Sequence, residues 1–232
     1  MCNLSGIAFV RNQLSAPEVA GSRVLEVGAL DVNGSVRPVI EQLGPASYLG
    51  VDIAPGPGVD ELCDVTDLVN RYGEDTFDIV ISTELVEHVE DWRAAFQNMK
   101  RVLRPGGTIV VTTRSRGFPI HGYPWDYWRY EPEDMERIFA DYDELTTARD
   151  DEAPGVFIKA RKPTHASADA PLGDVALFSV VAGKRTLRVR RSADLVFRLG
   201  FLPARLLRPF QPLRNKLSLR TRARRLVKHL RA

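Results

Sequence analysis

The chain has 232 residues, of which 44% are hydrophobic and 27% are charged, and its formal net charge is +2. This length allows one full hydrophobic core and an appendage, while no apolar run approaches the roughly 18 residues of a membrane-spanning helix. The two cysteines, Cys2 and Cys63, exclude a disulfide framework, and residues 1–10 lack the basic start and apolar centre of a secretory signal. We therefore expect a cytoplasmic protein.

The first predicted unit is a strand, a glycine turn and a helix. The apolar strand that begins at Val24 carries Glu26 and ends at Gly28, and a helical pattern begins after Ser35. A glycine is typical of a turn whose backbone passes close to a ligand. Neither the dinucleotide fingerprint nor the phosphate-binding G-x-x-x-x-G-K-[ST] loop is present. The acid two residues before the glycine suits a cationic group, such as the α-amino group of S-adenosylmethionine (AdoMet).

The next two predicted strands also end in acids. An apolar strand over residues 48–53 ends in Asp52 and Ile53, at the distance of about 20 residues where a ribose acceptor is expected in nucleotide-binding folds. A short strand over residues 60–65 follows, and its acid Asp64 can accept a hydrogen bond from an adenine amino group.

The remaining pattern alternates strands with helices and closes with a hairpin. Residues 77–83 predict a fourth strand and residues 108–113 a fifth, with an amphipathic helix over 90–103 between them. Residues 142–149 and 155–161 predict the closing antiparallel pair. Strands that alternate with helices are typical of a parallel α/β sheet.

At this point the chain resembles the class I AdoMet-dependent methyltransferases, over Val24 to Lys162. The resemblance implies an α/β fold with a Rossmann-like, doubly wound sheet of seven strands in the order 3-2-1-4-5-7-6. It implies that AdoMet lies against the ends of the first four strands, at Glu26, Gly28, Asp52, Ile53, Asp64, Val65 and Thr83. The resemblance is incomplete, because Leu30 and Val32 stand where the family often has further glycines.

A cluster of metal-ligand residues follows the fourth strand. If Glu84 begins a helix, Glu84, Glu87 and His88 share one face, and His121, beyond the fifth strand, would hang over the same edge of the sheet. Such ligands suit Mg²⁺ or Mn²⁺, with Zn²⁺ as an alternative. The pattern is similar to the metal-dependent O-methyltransferases of quinone precursors and of small-RNA 3′ ends. The alternative is a structural Glu-His pair that binds no metal.

Residues 118–130 concentrate aromatic side chains, with five of the nine Tyr and Trp residues of the chain between Tyr123 and Tyr130. Aromatic faces beside hydrogen-bonding groups form a platform for sugars, whereas the alternative is a lid that packs its rings onto the sheet. The run from His121 to Arg129 resembles methyltransferases of glycan-biosynthesis clusters, including those of mycobacterial methylmannose polysaccharide synthesis. Methyl transfer to a hydroxyl needs a base or a metal. His121 is the first candidate for base or ligand, and Asp126 is the second candidate base.

The C-terminal part is strongly basic. Residues 184–232 contain 16 Lys or Arg and one acid, Asp194, whereas the rest of the chain contains 16 basic and 29 acidic residues. We predict a methyltransferase domain over residues 1–163, a linker over 164–183 and a basic amphipathic extension over 184–232. The extension can contact an anionic membrane surface, nucleic acid, its own domain or a second copy in a homodimer.

These observations favour an AdoMet-dependent O-methyltransferase of a sugar or oligosaccharide hydroxyl, assisted by Mg²⁺ or Mn²⁺. Two alternatives remain open at this stage. The Glu-x-x-Glu-His run and the basic extension also fit an RNA ribose 2′-O-methyltransferase. The third possibility is a non-catalytic module that binds AdoMet and is tethered by its extension.

Overall fold

Ten strands and six α-helices make up the part of the chain that the computed structural model describes, which is residues 3–122, 125–165 and 172–189. The strands are β1 (Arg23–Val27), β2 (Ser47–Asp52), β3 (Glu61–Leu62), β4 (Phe77–Thr83), β5 (Leu103–Arg114), β6 (Trp128–Arg129), β7 (Asp143–Arg149), β8 (Gly155–Arg161), β9 (Leu177–Ser179) and β10 (Lys184–Thr186). The helices are α1 (Leu4–Gln13), α2 (Ala16–Val19), α3 (Arg37–Glu41), α4 (Leu68–Tyr72), α5 (Trp92–Val102) and α6 (Pro132–Ile138). Residues 190–232, and with them most of the predicted basic extension, lie outside the described residues.

Seven strands form the main sheet, in the order β3-β2-β1-β4-β5-β8-β7. The strands from β1 to β5 are parallel, and β8 runs antiparallel to both β5 and β7. When only the strands of this sheet are counted along the chain, the order is the predicted 3-2-1-4-5-7-6. The predicted α/β fold is therefore confirmed, and the carboxyl ends of β1 to β5 meet at one edge.

Helices cover both faces of this sheet, which is why its central strands read as nearly continuous apolar runs. Val24, Leu25 and Val27 of β1 are all buried, and they belong to two separate apolar clusters. On one face, α5 buries a stripe that its helical spacing predicts, made of Trp92, Ala95, Phe96, Met99 and Val102. The carboxylate of Asp91 begins this helix by accepting a hydrogen bond from the Ala94 amide.

A second, three-stranded sheet joins the end of the described chain to the domain. Strand β9 pairs with both β6 and β10, and Leu172, Val175 and Leu177 are buried in the same apolar cluster as α5. The sequence places residues 164–183 in a linker, but residues 172–183 are packed onto the domain. In this segment apolar and small residues are mixed without the periodicity that would distinguish a short strand from a linker.

Among the described residues, no helix is both long and apolar enough to span a membrane.

Candidate functional site

The turn after β1 is held tightly against its neighbours. Gly28 has a φ of +83°, a conformation that glycine adopts at little cost. The amides of Gly28 and Ala29 both donate to the carbonyl of Val51, at 2.9 and 3.0 Å. A Cβ at position 28 would lie 3.0 Å from the Leu85 side chain. The backbone thus passes close to the end of β4, at the predicted cofactor edge.

Glu26 lies under this turn and is only 2% exposed. The hydroxyl of Tyr48 donates a 2.5 Å hydrogen bond to Glu26 Oε2, and the Arg37 guanidinium lies 4.5 Å from the Tyr48 ring centre. Burial raises the pKa of Glu26 to about 7, although the Tyr48 hydrogen bond and Arg37 oppose this rise. Glu26 is therefore a buried carboxyl whose charge depends on its partners. The sequence did not identify Tyr48 as one of them.

Asp52 and Ile53 form the end of β2. The two carboxylate oxygens of Asp52 accept hydrogen bonds from the amides of Leu30, at 3.2 Å, and Ala54, at 3.0 Å. Asp52 therefore joins the glycine turn to the loop after β2. Ile53 is 73% exposed, so an apolar face stands next to the carboxylate, as a nucleoside requires.

Asp64, Val65 and Thr83 lie at the ends of β3 and β4. Asp64 Oδ1 accepts hydrogen bonds from the amide and hydroxyl of Thr66, at 2.8 and 2.7 Å. Val65 and Thr83 are buried, at 5% and 1% exposed. The topology brings these residues to the same edge as Glu26 and Asp52, while their contacts with AdoMet stay predictions.

Glu84 does not share a helical face with Glu87 and His88, so this part of the prediction is wrong. Residues 86–88 form a single 3₁₀ turn, and Glu84 has a φ of +54°. Its carboxylate pairs with the buried Arg114 guanidinium and accepts a 3.1 Å hydrogen bond from the Thr112 hydroxyl. Burial and the nearby Glu87 raise the pKa of Glu84, and Arg114 opposes the rise. Glu84 is thus a buried ion-pair partner, outside the ligand cluster.

Glu87, His88 and His121 form a cluster that could hold a metal ion, since one ligand atom of each lies within 4.8 Å of the others. Glu87 Oε1 lies 3.9 Å from His88 Nε2 and 3.7 Å from His121 Nε2. The other oxygen of Glu87 accepts a 2.7 Å hydrogen bond from the Thr113 hydroxyl. Among the described residues of this cluster, three side-chain atoms are buried without a hydrogen-bond partner: Glu87 Oε1, His88 Nε2 and His121 Nδ1.

Two unpaired, buried ligand atoms that face a third ligand are what a cation site presents before it binds its ion. The set of one carboxylate and two imidazoles suits Mn²⁺ or Zn²⁺ better than the predicted Mg²⁺, which prefers oxygen ligands. The residues of the cluster therefore fit a divalent cation, with Glu84 excluded from the predicted ligands.

His121 lies between two carboxylates, those of Glu87 and Asp126. Burial disfavours its charged form, but Asp126 and Glu87 outweigh this effect and raise the pKa of His121 to about 9. Burial also acts to raise the pKa of Asp126, yet hydrogen bonds from Arg129 and His121 bring it below its usual range. A carboxylate that is so strongly held is a poor proton acceptor. The predicted role of Asp126 as a base is thus not the one that its contacts favour.

The aromatic segment divides into a buried and an exposed part. Tyr127, Trp128 and Tyr130 are at most 2% exposed and belong to the main core, so for these three the lid alternative is correct and the sugar platform is wrong. Trp125 is 56% exposed and Ile120 is 48% exposed. These two side chains provide an apolar surface in the loop that carries His121.

Comparisons with known proteins agree with this fold. The family described as a methyltransferase domain matches residues 6–146. The ubiquinone biosynthesis O-methyltransferase of Rhizobium etli is 33% identical over 121 residues, which cover 47% of this chain and 47% of that protein. The phosphoethanolamine N-methyltransferase 2 of Caenorhabditis elegans is 24% identical over 111 residues, which cover 42% of this chain and 25% of that protein.

The chain spans about half, or less, of the length of the curated relatives it matches. Among solved structures, the 1,6-didemethyltoxoflavin-N1-methyltransferase of Burkholderia thailandensis has a TM-score of 0.55 at 16% identity, with 68% of this chain and 78% of that chain covered. At this identity the likeness shows the fold alone.

Proposed function

The chain belongs to the methyltransferase-domain family, with a class I AdoMet-dependent fold, and from this premise we propose that it is an AdoMet-dependent O-methyltransferase assisted by a divalent cation. One observation carries this proposal: the unpaired atoms Glu87 Oε1 and His88 Nε2 converge with His121 Nε2 at the edge of the sheet where β1 to β5 end. Such an arrangement is suited to hold an ion beside an acceptor hydroxyl.

AdoMet, when bound, supplies a sulfonium-activated methyl group: its transfer to oxygen forms a C–O bond and breaks the S–C bond, which leaves S-adenosylhomocysteine, while the hydroxyl proton passes to water at the open side of the cluster. On this proposal Asp52 accepts the ribose hydroxyls, Ile53 packs against the nucleoside and Glu26 balances the cationic amino-acid end. The turn at Gly28 allows the backbone to approach the cofactor. The role of these residues is positioning, because an in-line displacement depends on alignment of the reacting atoms.

Glu87, His88 and His121 would hold the divalent cation. Such an ion acts as a Lewis acid that makes a hydroxyl more acidic. Thr113 fixes one oxygen of Glu87 and leaves the other directed at the histidines. Because Glu87 is fully buried while His88 and His121 are partly exposed, the open side of the cluster is the side of the histidines, where an acceptor can approach.

For the acceptor, we propose a sugar or oligosaccharide hydroxyl. Support comes from the exposed Trp125 and Ile120 beside His121, because an apolar surface next to polar groups suits the C–H faces of a sugar. A second candidate is a phenolic hydroxyl, which the similarity to ubiquinone biosynthesis O-methyltransferases favours. Both acceptors can present neighbouring oxygens to one cation.

The test is methyl transfer from labelled AdoMet to separate pools of glycans, catechol-type phenols and RNA. We expect label in an ether on the glycan pool, and that label should be lost in Glu87→Gln. Label on the phenols alone would support an O-methyltransferase but make a phenolic hydroxyl, and not a sugar hydroxyl, its acceptor. Label on RNA alone, or on nitrogen, would contradict the proposal. A chain that binds AdoMet but labels none of the pools would favour a non-catalytic module.

For partners beyond the substrate, we propose contact of the basic extension with an anionic membrane surface. Residues 184–232 combine 16 Lys or Arg with many Leu and Phe residues. Phosphate binding alone would need the basic residues but not this apolar content. Nucleic acid and a homodimer are the alternative partners.

A further inference from the structure

The loop between β5 and β6, which carries His121, Trp125 and Asp126, supports both histidines of the metal-ligand cluster. The Nδ1 atom of His88 contacts the carbonyl oxygen of Trp125, and the Nδ1 atom of His121 lies 3.3 Å from Asp126 Oδ2. When a cation is bound, the ring nitrogen that faces an acceptor carries the proton and the other nitrogen binds the ion. Both histidines therefore direct Nε2 towards Glu87 Oε1.

Arg129 holds this loop in its folded form. Its side chain is 2% exposed. It donates to both carboxylate oxygens of Asp126, at 2.5 and 2.8 Å, and to the carbonyl of Pro119 at 3.0 Å. Asp126 Oδ2 also accepts a 2.8 Å hydrogen bond from the amide of His121. The pair thus ties the two ends of the loop together around its carboxylate.

Position 122 is adapted to the same arrangement. Gly122 has a φ of +60°, and a Cβ there would lie 2.6 Å from His88 Cε1. The loop backbone is therefore packed directly against the imidazole of His88. The loop provides hydrogen bonding and packing together.

We propose that the Asp126–Arg129 pair is a positioning device for the cation, which presets both histidines to bind through Nε2. This inference rests on the proposed function, since it gives a role to residues around the same cation site. Asp126 acts through His121, and Arg129 acts through Asp126 and the loop, so neither residue touches the reacting atoms. Loss of such an outer partner typically lowers metal affinity by about 10- to 100-fold.

A purely structural ion pair is the competing explanation, and the chain offers a matched control. Lys100 and Asp141 form another buried ion pair, with side chains 1% and 8% exposed, on α5 and the turn after α6. Asp126→Asn and Asp141→Asn each remove one negative charge from a buried pair. Only the first change is expected to alter the cation site.

The experiment is calorimetric titration of Mn²⁺ into the full chain, with AdoMet affinity measured on the same preparations. We expect Asp126→Asn to weaken Mn²⁺ binding about 10- to 100-fold and to leave AdoMet affinity unchanged, while Asp141→Asn binds Mn²⁺ as the wild type does. Equal Mn²⁺ affinity in folded Asp126→Asn and wild type would overturn the inference alone. A wild type that binds no divalent cation would overturn the proposed metal assistance as well.

A second measurement on the wild type covers the case in which Asp126→Asn does not fold. Nitrogen-15 spectra of the imidazoles in Zn²⁺-saturated protein report which ring nitrogen carries a proton. We expect protonated Nδ1 and metal-bound Nε2 in both His88 and His121. Binding through Nδ1 in either histidine would contradict the inference.

Discussion

At the level of single residues, burial of Glu26 makes the folding stability depend on pH. Because burial raises its pKa to about 7, against about 4.3 in an unfolded chain, ionisation opposes folding. The Glu26 contribution to stability is fully present below the unfolded pKa and is lost as the pH rises through 7. The full loss is about 4 kcal/mol. We expect urea unfolding at pH 5 and pH 8 to show a smaller decrease in stability in Glu26→Gln than in wild type.

A second variant should change the pH dependence of stability in the opposite direction. Tyr48→Phe removes the hydrogen bond that lowers the pKa of Glu26, so its stability should decrease more steeply with pH than that of the wild type. An unchanged pH dependence in Glu26→Gln would show that the Glu26 carboxyl titrates alike in the folded and unfolded chains.

Asp52 allows a direct test of the cofactor edge. Asp52→Ala removes acceptors for the ribose hydroxyls, so AdoMet binding should weaken by about 1–3 kcal/mol, as measured by calorimetry. Asp67→Ala is the control. Asp67 is an exposed acid on the turn after β3, and it accepts a hydrogen bond from the Asn70 side chain of α4. Unchanged affinity in a folded Asp52→Ala variant would remove Asp52 from the site.

At the element scale, the order of the main sheet could be predicted because strands and helices alternate regularly, and helices on both faces favour this topology. The position of Glu84 could not be predicted, since its partner Arg114 is 30 residues away and the turn at 86–88 replaces the assumed helix. Trp128 pairs with Ser179 of strand β9, which lies in a segment that reads as a linker. Contacts that are distant in the sequence decided both cases.

The attachment of residues 172–189 to the domain gives a prediction for α5. Arg93 donates to the carbonyls of Leu172, Val175 and Leu187, at 2.9, 2.6 and 2.6 Å. Hydrogen bonds from a charged group contribute about 1.5–3 kcal/mol, so Arg93→Ala should loosen this segment. We expect faster hydrogen exchange at the amides of β9 and β10.

A neighbouring arginine on the same helix serves as the control. Arg101 makes an exposed pair with Glu74, and such pairs contribute about 0–1 kcal/mol. Arg101→Ala should therefore leave exchange in β9 and β10 unchanged. Equal exchange rates in Arg93→Ala and wild type would mean that the apolar contacts of Leu172 and Leu177 hold the segment without Arg93.

At the scale of the whole molecule, the charge asymmetry predicts binding to anionic lipid. Each Lys or Arg near such a surface contributes about 1 kcal/mol. We expect the full chain to sediment with phosphatidylserine vesicles but not with phosphatidylcholine vesicles, and to be released by salt. Binding should weaken in a variant in which four arginines of the extension become glutamine: Arg220, Arg222, Arg224 and Arg225.

The matched control changes four arginines of the domain to glutamine: Arg23, Arg71, Arg101 and Arg104. This variant has the same net charge as the first and should bind vesicles as the wild type does. Equal loss in the two variants would show that net charge alone drives binding. Binding of RNA without binding of vesicles would show that the partner of the extension is a nucleic acid and not a membrane.

On the proposed function, Glu87, His88 and His121 hold a cation that serves the acceptor hydroxyl. The most direct measurement is methyl transfer in chelator, with AdoMet binding followed in the same samples. We predict that activity is lost in chelator, returns with Mn²⁺, and does not return in Glu87→Gln, while all samples bind AdoMet with the same affinity. Full activity of the wild type in chelator would contradict the claim.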